Sequence, residues 1–185
     1  MPPSAIEDRS SNLPAPLEES GLGSHASHRS AGSGCPEPVE GQRVGLTVLT
    51  TALAAVEELG SVPGVRLFCT GGQFRSENPD FVGPTAVAAF AGLHADIAFV
   101  GADSLIVGRG LYSADQGSAA ILSAIGACAS RRVAVLDHTK INAQGMFLGL
   151  PRERIDCVIT DAGLSPEVRR EMEADGLKVI LAAVS

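Results

Sequence analysis

The sequence predicts an α/β domain, a parallel sheet with helices on both faces. Three observations predict it. Short, almost wholly apolar runs recur between Val44 and Ala182, as in strands buried on both sides. Between them lie segments whose apolar residues follow helical spacing. Glycine and proline mark the changeovers, as at Pro63-Gly64 and Gly71-Gly72. Strands that alternate with helices in this way pair in parallel through crossovers.

The elements follow in order. Val44–Leu49 is a β-branched run and reads as the first strand. A helix follows from Thr50 to Leu59, with Thr50 or Thr51 as its cap. Pro63-Gly64 breaks the chain before a second strand, Val65–Thr70, which Gly71-Gly72 ends. Pro84 opens an Ala-rich helix to Gly92, at a position where the missing N–H costs nothing. Ile97–Gly101 reads as a strand, VGADSLIVGRG (Val100 to Gly110) as a long loop, and Gln116–Ser130 as a helix. Val133–Leu136 and Ile155–Thr160 are strands. Ser165-Pro166 starts a helix to about Ala174, and Lys178–Ala182 is the last strand.

Residues 1–41 differ from the rest. They are rich in Ser, Gly, Pro and Glu without apolar periodicity, so they bury too little surface to offset ordering and are expected to be a disordered tail. The folded domain is expected over residues 42–185. His25, His28 and Cys35 fall in the tail with no second ligand pair, so no metal site is read there. Among Cys35, Cys69, Cys128 and Cys157 there is no CxxC pair. They read as reduced thiols, with Cys69, Cys128 and Cys157 as small core residues. Met1 to Ala15 lacks the apolar stretch of a secretion signal. The longest apolar candidate, Val82 to Gly101, is broken by His94 and Asp96. No membrane span and a cytoplasmic location are therefore expected. The net charge of −7 argues against DNA binding by this chain alone, because phosphate backbones need a basic surface.

Open parallel sheets bind ligands beyond the carboxyl ends of their strands. Those ends are Gly71-Gly72, Gly101 to Asp103, Asp137 to Lys140, and Asp161. They gather glycines and polar residues, far apart in sequence, on one rim.

In order, the segments TGGQFR (Thr70 to Arg75), Gly83-Pro84, HADIAFVGADSL (His94 to Leu105), RGLYSAD (Arg109 to Asp115), VAVLDHTKIN (Val133 to Asn142), IDCVITDAGL (Ile155 to Leu164) and DGLKVILA (Asp175 to Ala182) resemble the effector-sensing domain of DeoR-type transcriptional regulators. The likeness covers roughly Val44 to Ala182 and is strongest at the D-x-[ST]-K segment around Asp137 and Lys140. It implies a fold like ribose-5-phosphate isomerase and a phosphorylated sugar or related metabolite as ligand. In the family that ligand shifts the DNA affinity of an N-terminal helix-turn-helix. The sequence departs from the family pattern in three ways. No helix-turn-helix is read in Met1 to Gly41. The family's first strand, with its D-x-G-[ST]-T phosphate loop, is not read before Val44. A lysine expected after the GL segment is Leu122 here.

The resemblance assigns the rim residues. Lys140 offers a point charge for a phosphate, and Asp137 a partner for sugar hydroxyls or for Lys140 itself. Gly71 and Gly72 let backbone approach an anion or simply make a turn. Arg75 is a phosphate ligand or a loop charge, and Asp103 a hydroxyl partner or a loop cap. Asp161 reads as a turn cap. His138 has no nucleophile, orienting partner or metal cluster recognisable in the sequence, so it reads as a rim histidine. No catalytic residue, cofactor or metal is expected. The reading is thus a sugar-phosphate sensing domain and not an enzyme, a homo-oligomer through its exposed apolar surface. The alternatives are an isomerase-like enzyme and a non-functional remnant of a regulator.

Overall fold

In the computed structural model, residues 45–183 are described; the tail expected at residues 1–41 and the opening strand that the resemblance places before Val44 lie outside them. In chain order the elements are β1 (Leu46–Thr50), α1 (Leu53–Leu59), β2 (Val65–Cys69), β3 (Gln73–Arg75), β4 (Asp80–Val82), α2 (Pro84–Ala88), β5 (Ala95–Val100), β6 (Ser104–Ile106), β7 (Gly110–Ser113), α3 (Gln116–Cys128), β8 (Ala129–Val135), β9 (Phe147–Pro151), β10 (Cys157–Asp161), α4 (Pro166–Ala174) and β11 (Lys178–Ala182). Short 3-10 turns cover His138–Lys140 and Arg152–Arg154.

The expected strand–helix alternation is present. β11, β10, β8 and β5 form a four-stranded parallel sheet in that order. β1 and β2 form a separate parallel pair. Among the described residues, β5 pairs only with β8 and β1 only with β2, so each carries one bare edge. Helix α3 links the two sheets. Its Ile125 packs against both the cluster containing Val100 and Leu136 and the cluster containing Val82 and Phe90, which Leu49 of β1 also joins.

Helix ends follow side-chain capping where a cap is available. Asp115 accepts from Ser118 N at 2.9 Å at the start of α3. Ser165 accepts from Val168 N at 3.3 Å at the start of α4, with Pro166 in the first turn as expected. Helix α1 differs from expectation. It begins at Leu53 without a side-chain cap, because Thr50 Oγ1 accepts from Ala52 N before the helix starts. Helix α2 stops at Ala88, short of Gly92.

Two further differences concern strands. The stretch expected to be a long loop folds as the β6–β7 hairpin, and β9 adds to it as a three-stranded antiparallel sheet. These strands are short and rich in glycine and polar residues, so they lack a readable period. β8 also begins earlier than Val133, because Arg131 and Arg132 pair with Ile97 and Ala98. Arg132 can sit there because it donates to Ala129 O, Arg154 O and Asp156.

The principal core takes alternate residues of the parallel strands. Ala98, Val100, Ala134, Leu136 and Val158 are buried against Leu122, Leu150, Leu164 and Met172. Leu122, which stands where the family pattern expects a lysine, is therefore a core residue. The intervening positions Ile97, Phe99, Val135 and Ile180 are exposed, Phe99 to 64%. Cys157 is buried, but Cys69, expected in the core, is exposed on β2, which has a partner on one edge only among the described residues.

Candidate ligand site

The carboxyl ends of β5, β8 and β10 lie side by side, since Val100 pairs with Ala134 and Val135 with Ile159. The segments that leave these ends are therefore neighbours: Gly101 to Asp103, Asp137 to Lys140, and Asp161 to Gly163. The chain after Lys140 is fixed against β6. Asn142 N donates to Leu105 O at 2.7 Å, and Ser104 Oγ donates to Ala143 O at 2.7 Å. This places the Lys140 turn alongside the loop that carries Asp103.

Asp137 caps its own turn, accepting from Thr139 N at 2.9 Å and from the Thr139 hydroxyl. Those bonds, and then the charge of Lys140, hold its carboxyl below the usual range. Lys140 ends the 3-10 turn and is half-buried. Among the described residues its amine makes no ion pair.

The other expected residues are engaged in holding the structure. Asp103 Oδ2 accepts from Ala114 N at 2.8 Å, which fastens its loop to the end of β7. Arg75 donates through Nε and Nη2 to the two oxygens of Asp80, at 2.8 and 2.7 Å. It also donates to Asp115 at 2.9 Å and to Ser118 Oγ at 3.0 Å. Its donors are thus committed to clamping the β3–β4 hairpin onto α3. Gly72 has φ +111°, and a Cβ there would stand 2.7 Å from Val82 O and 3.2 Å from Ala86 Cβ. Close packing on β4 and α2 therefore demands glycine. Gly71 has φ +64° with open space around it.

The sequence reading missed one feature of the rim. His138 has an orienting partner: its Nδ1 lies 2.7 Å from Asp161 Oδ1. Asp161 also accepts from His138 N at 2.8 Å and from Gly163 N at 2.7 Å. These two backbone bonds, and then the His138 ring, lower its pKa to about 2. A depression of about 190 Å³ beside this pair is lined by His138, Ile141, Gly163, Leu164, Ser165 and Val168. The signal available in the sequence was that two adjacent parallel strands both run into aspartate, in LDH and ITD. Among the described residues no group of three or more His, Cys, Asp or Glu could hold a metal ion.

The domain is thus an α/β sheet with helices against it and a polar rim of carboxylates, one histidine and one lysine at the strand ends. The chain belongs to the DeoR family: the family model for the DeoR C-terminal sensor domain matches residues 38–162. It is similar to a protein of Escherichia coli O157:H7 named for transcriptional repression of the aga operon, 27% identical over 133 residues, 72% of this chain and 49% of the relative. It is also similar to the HTH-type transcriptional regulator YgbI of Escherichia coli K12, 31% identical over 74% of this chain and 53% of the relative. A third relative is the transcriptional repressor AccR of Agrobacterium fabrum, 29% identical over 65% of this chain and 47% of the relative. The chain spans about half the length of the curated relatives it matches. The matched residues are thus a C-terminal sensor domain of the DeoR type. Among the described residues no helix is long and apolar enough to cross a membrane.

Proposed function

We propose that the domain senses a phosphorylated sugar, bound on the rim at the carboxyl ends of β5, β8 and β10. Lys140 carries this reading. It is a half-buried lysine with no ion pair among the described residues, on the turn that leaves a central strand of the parallel sheet. A mobile ammonium there suits a phosphate, and the carboxylates of Asp137 and Asp103 suit hydroxyls. Asp103 has one oxygen left for this beside its bond to Ala114 N. Gly71 follows β2, which pairs with β1 and not with these three strands, so it is left out of the proposed set. Arg75 and Gly72 are omitted, because their groups serve the scaffold. The likeness to ribose-5-phosphate isomerase belongs to the same proposal and rests on the segments from Thr70 to Ala182.

The relatives are regulators, so sensing is favoured over turnover. DNA contact is assigned to polypeptide other than this acidic domain, whose chain has net charge −7. A thermal-shift screen of hexose and pentose phosphates tests the effector. A rise in melting temperature with a phosphate ester but not with its parent sugar supports the reading, and no response across the panel refutes it. Conversion of the bound ester to another sugar phosphate would establish the isomerase-like alternative.

A further inference from the structure

The His138–Asp161 pair is more constrained than a turn cap requires. One carboxylate fixes both the backbone and the ring of His138. Because an ionised carboxylate only accepts, Nδ1 carries a ring proton, and in the neutral tautomer this leaves Nε2 as an acceptor. Among the described residues Nε2 has no hydrogen-bond partner, and the side chain is 43% exposed.

Gly163 supplies the space for the ring. A Cβ at position 163 would stand 2.4 Å from His138 Cε1 and Nδ1 and 2.8 Å from Asp161 Oδ1. Gly163 does not occupy the left-handed region. Glycine is therefore needed here for the imidazole and not for the backbone. The lining of the adjoining depression combines Ile141, Leu164 and Val168 with the ring. Apolar side chains beside the imidazole and the Ser165 hydroxyl match the carbon face and hydroxyls of a polyol, and a phosphate, itself an acceptor, does not suit a neutral Nε2.

We propose that His138, positioned by Asp161 and seated on Gly163, is the hydroxyl-recognising residue of the effector site. Its Nε2 accepts a hydrogen bond from a sugar hydroxyl while Lys140, on the same turn, takes the phosphate. The inference rests on the sugar-phosphate reading above and adds the residue that discriminates among such esters. A single hydrogen bond of this kind contributes about tenfold in affinity when its loss leaves a hydroxyl unpaired.

The test uses the full chain with hexose and pentose phosphates and with inorganic phosphate as the probe that lacks sugar hydroxyls. His138→Asn retains a donor for Asp161 and removes Nε2. Gly163→Ala displaces the ring without changing His138. Both variants are expected to bind the sugar phosphate about tenfold more weakly while inorganic phosphate is held as before. Nitrogen NMR of the free protein is expected to place the His138 proton on Nδ1. Sugar-phosphate binding that is lost in Lys140→Ala but unchanged in His138→Asn, or a proton on Nε2, overturns this inference and leaves the sensing function intact. Failure of every phosphate to bind the wild-type chain overturns both.

Discussion

Arg75 donates to Asp115 over 2.9 Å and forty positions of sequence, tying the β3–β4 hairpin to the first residue before α3. The residue preceding Asp115 is Ala114, whose N–H is held by Asp103. One short segment thus receives a clamp from the β1–β2 side of the domain and another from the rim. The rim loop after β5 is braced through backbone and charge together.

Removing that clamp should cost stability and not affinity. Arg75→Ala leaves Asp80 and Asp115 without their shared cation in a partly buried setting. We expect a loss of about 2 kcal/mol in chemical denaturation, with sugar-phosphate affinity within about twofold of wild type. A normal melt combined with lost binding would return Arg75 to the ligand site.

Acid should weaken the fold through the same network. Ser118 first, with its hydroxyl and backbone N–H, and then Arg75 hold Asp115 at a pKa of about 2, against an ordinary 3.8. Asp161 is held at about 2 as well. A depressed folded-state pKa stabilises above the unfolded value, and that contribution disappears as pH falls through the folded one. Stability should therefore be level above about pH 5 and decline between about pH 4 and pH 2. Asp115→Asn should show a shallower decline in urea titrations across that window. Identical slopes for the two proteins would exclude Asp115 as a source.

The contact of α3 with β9 is sensitive to one methyl group. A Cβ on Gly149 would lie 2.8 Å from Leu122 Cβ and 3.2 Å from Ala119 O. Gly149→Ala should destabilise by about 1 to 3 kcal/mol, read as a lower urea midpoint at unchanged slope. An unchanged midpoint would mean that α3 and β9 can separate freely.

The sequence revealed the parallel strands and missed the antiparallel ones, for a physical reason. Val133, Ala134, Leu136 and Val158 are buried under the helices of the parallel sheet, and their apolar runs are easy to read. Ser104–Ile106 and Gly110–Ser113 are held by hairpin hydrogen bonds and by the fit of Gly110 against Leu150 O, which no hydrophobic period reports. The rim was legible as a set of strand ends, and Asp137 and Lys140 stand on the turn that follows β8. What each side chain touches was not legible. Arg75 finds its anions at Asp80 and Asp115, and His138 finds Asp161, through contacts that depend on three-dimensional register.

Exposed apolar strand surface should drive self-association. Phe99 is 64% exposed on β5, beside exposed Ile97 and an edge bare among the described residues. We expect homo-oligomers or aggregates of the isolated chain, with a marginal melt. Phe99→Ser should lower the mass seen by light scattering at little cost in stability. A monomer that melts sharply above roughly 65 °C would contradict this expectation.

In the proposed site Lys140 binds the phosphate of a sugar ester. Titration calorimetry of the wild-type chain, Lys140→Ala and Lys178→Ala with a responsive hexose or pentose phosphate tests it most directly. Lys178 is an exposed lysine at the opposite, amino-terminal end of β11, and serves as the control. Wild-type binding is expected with a dissociation constant of roughly 1 mM, with no measurable binding by Lys140→Ala and unchanged binding by Lys178→Ala. Equal affinity for the sugar and its phosphate ester, or full affinity in Lys140→Ala, would contradict it.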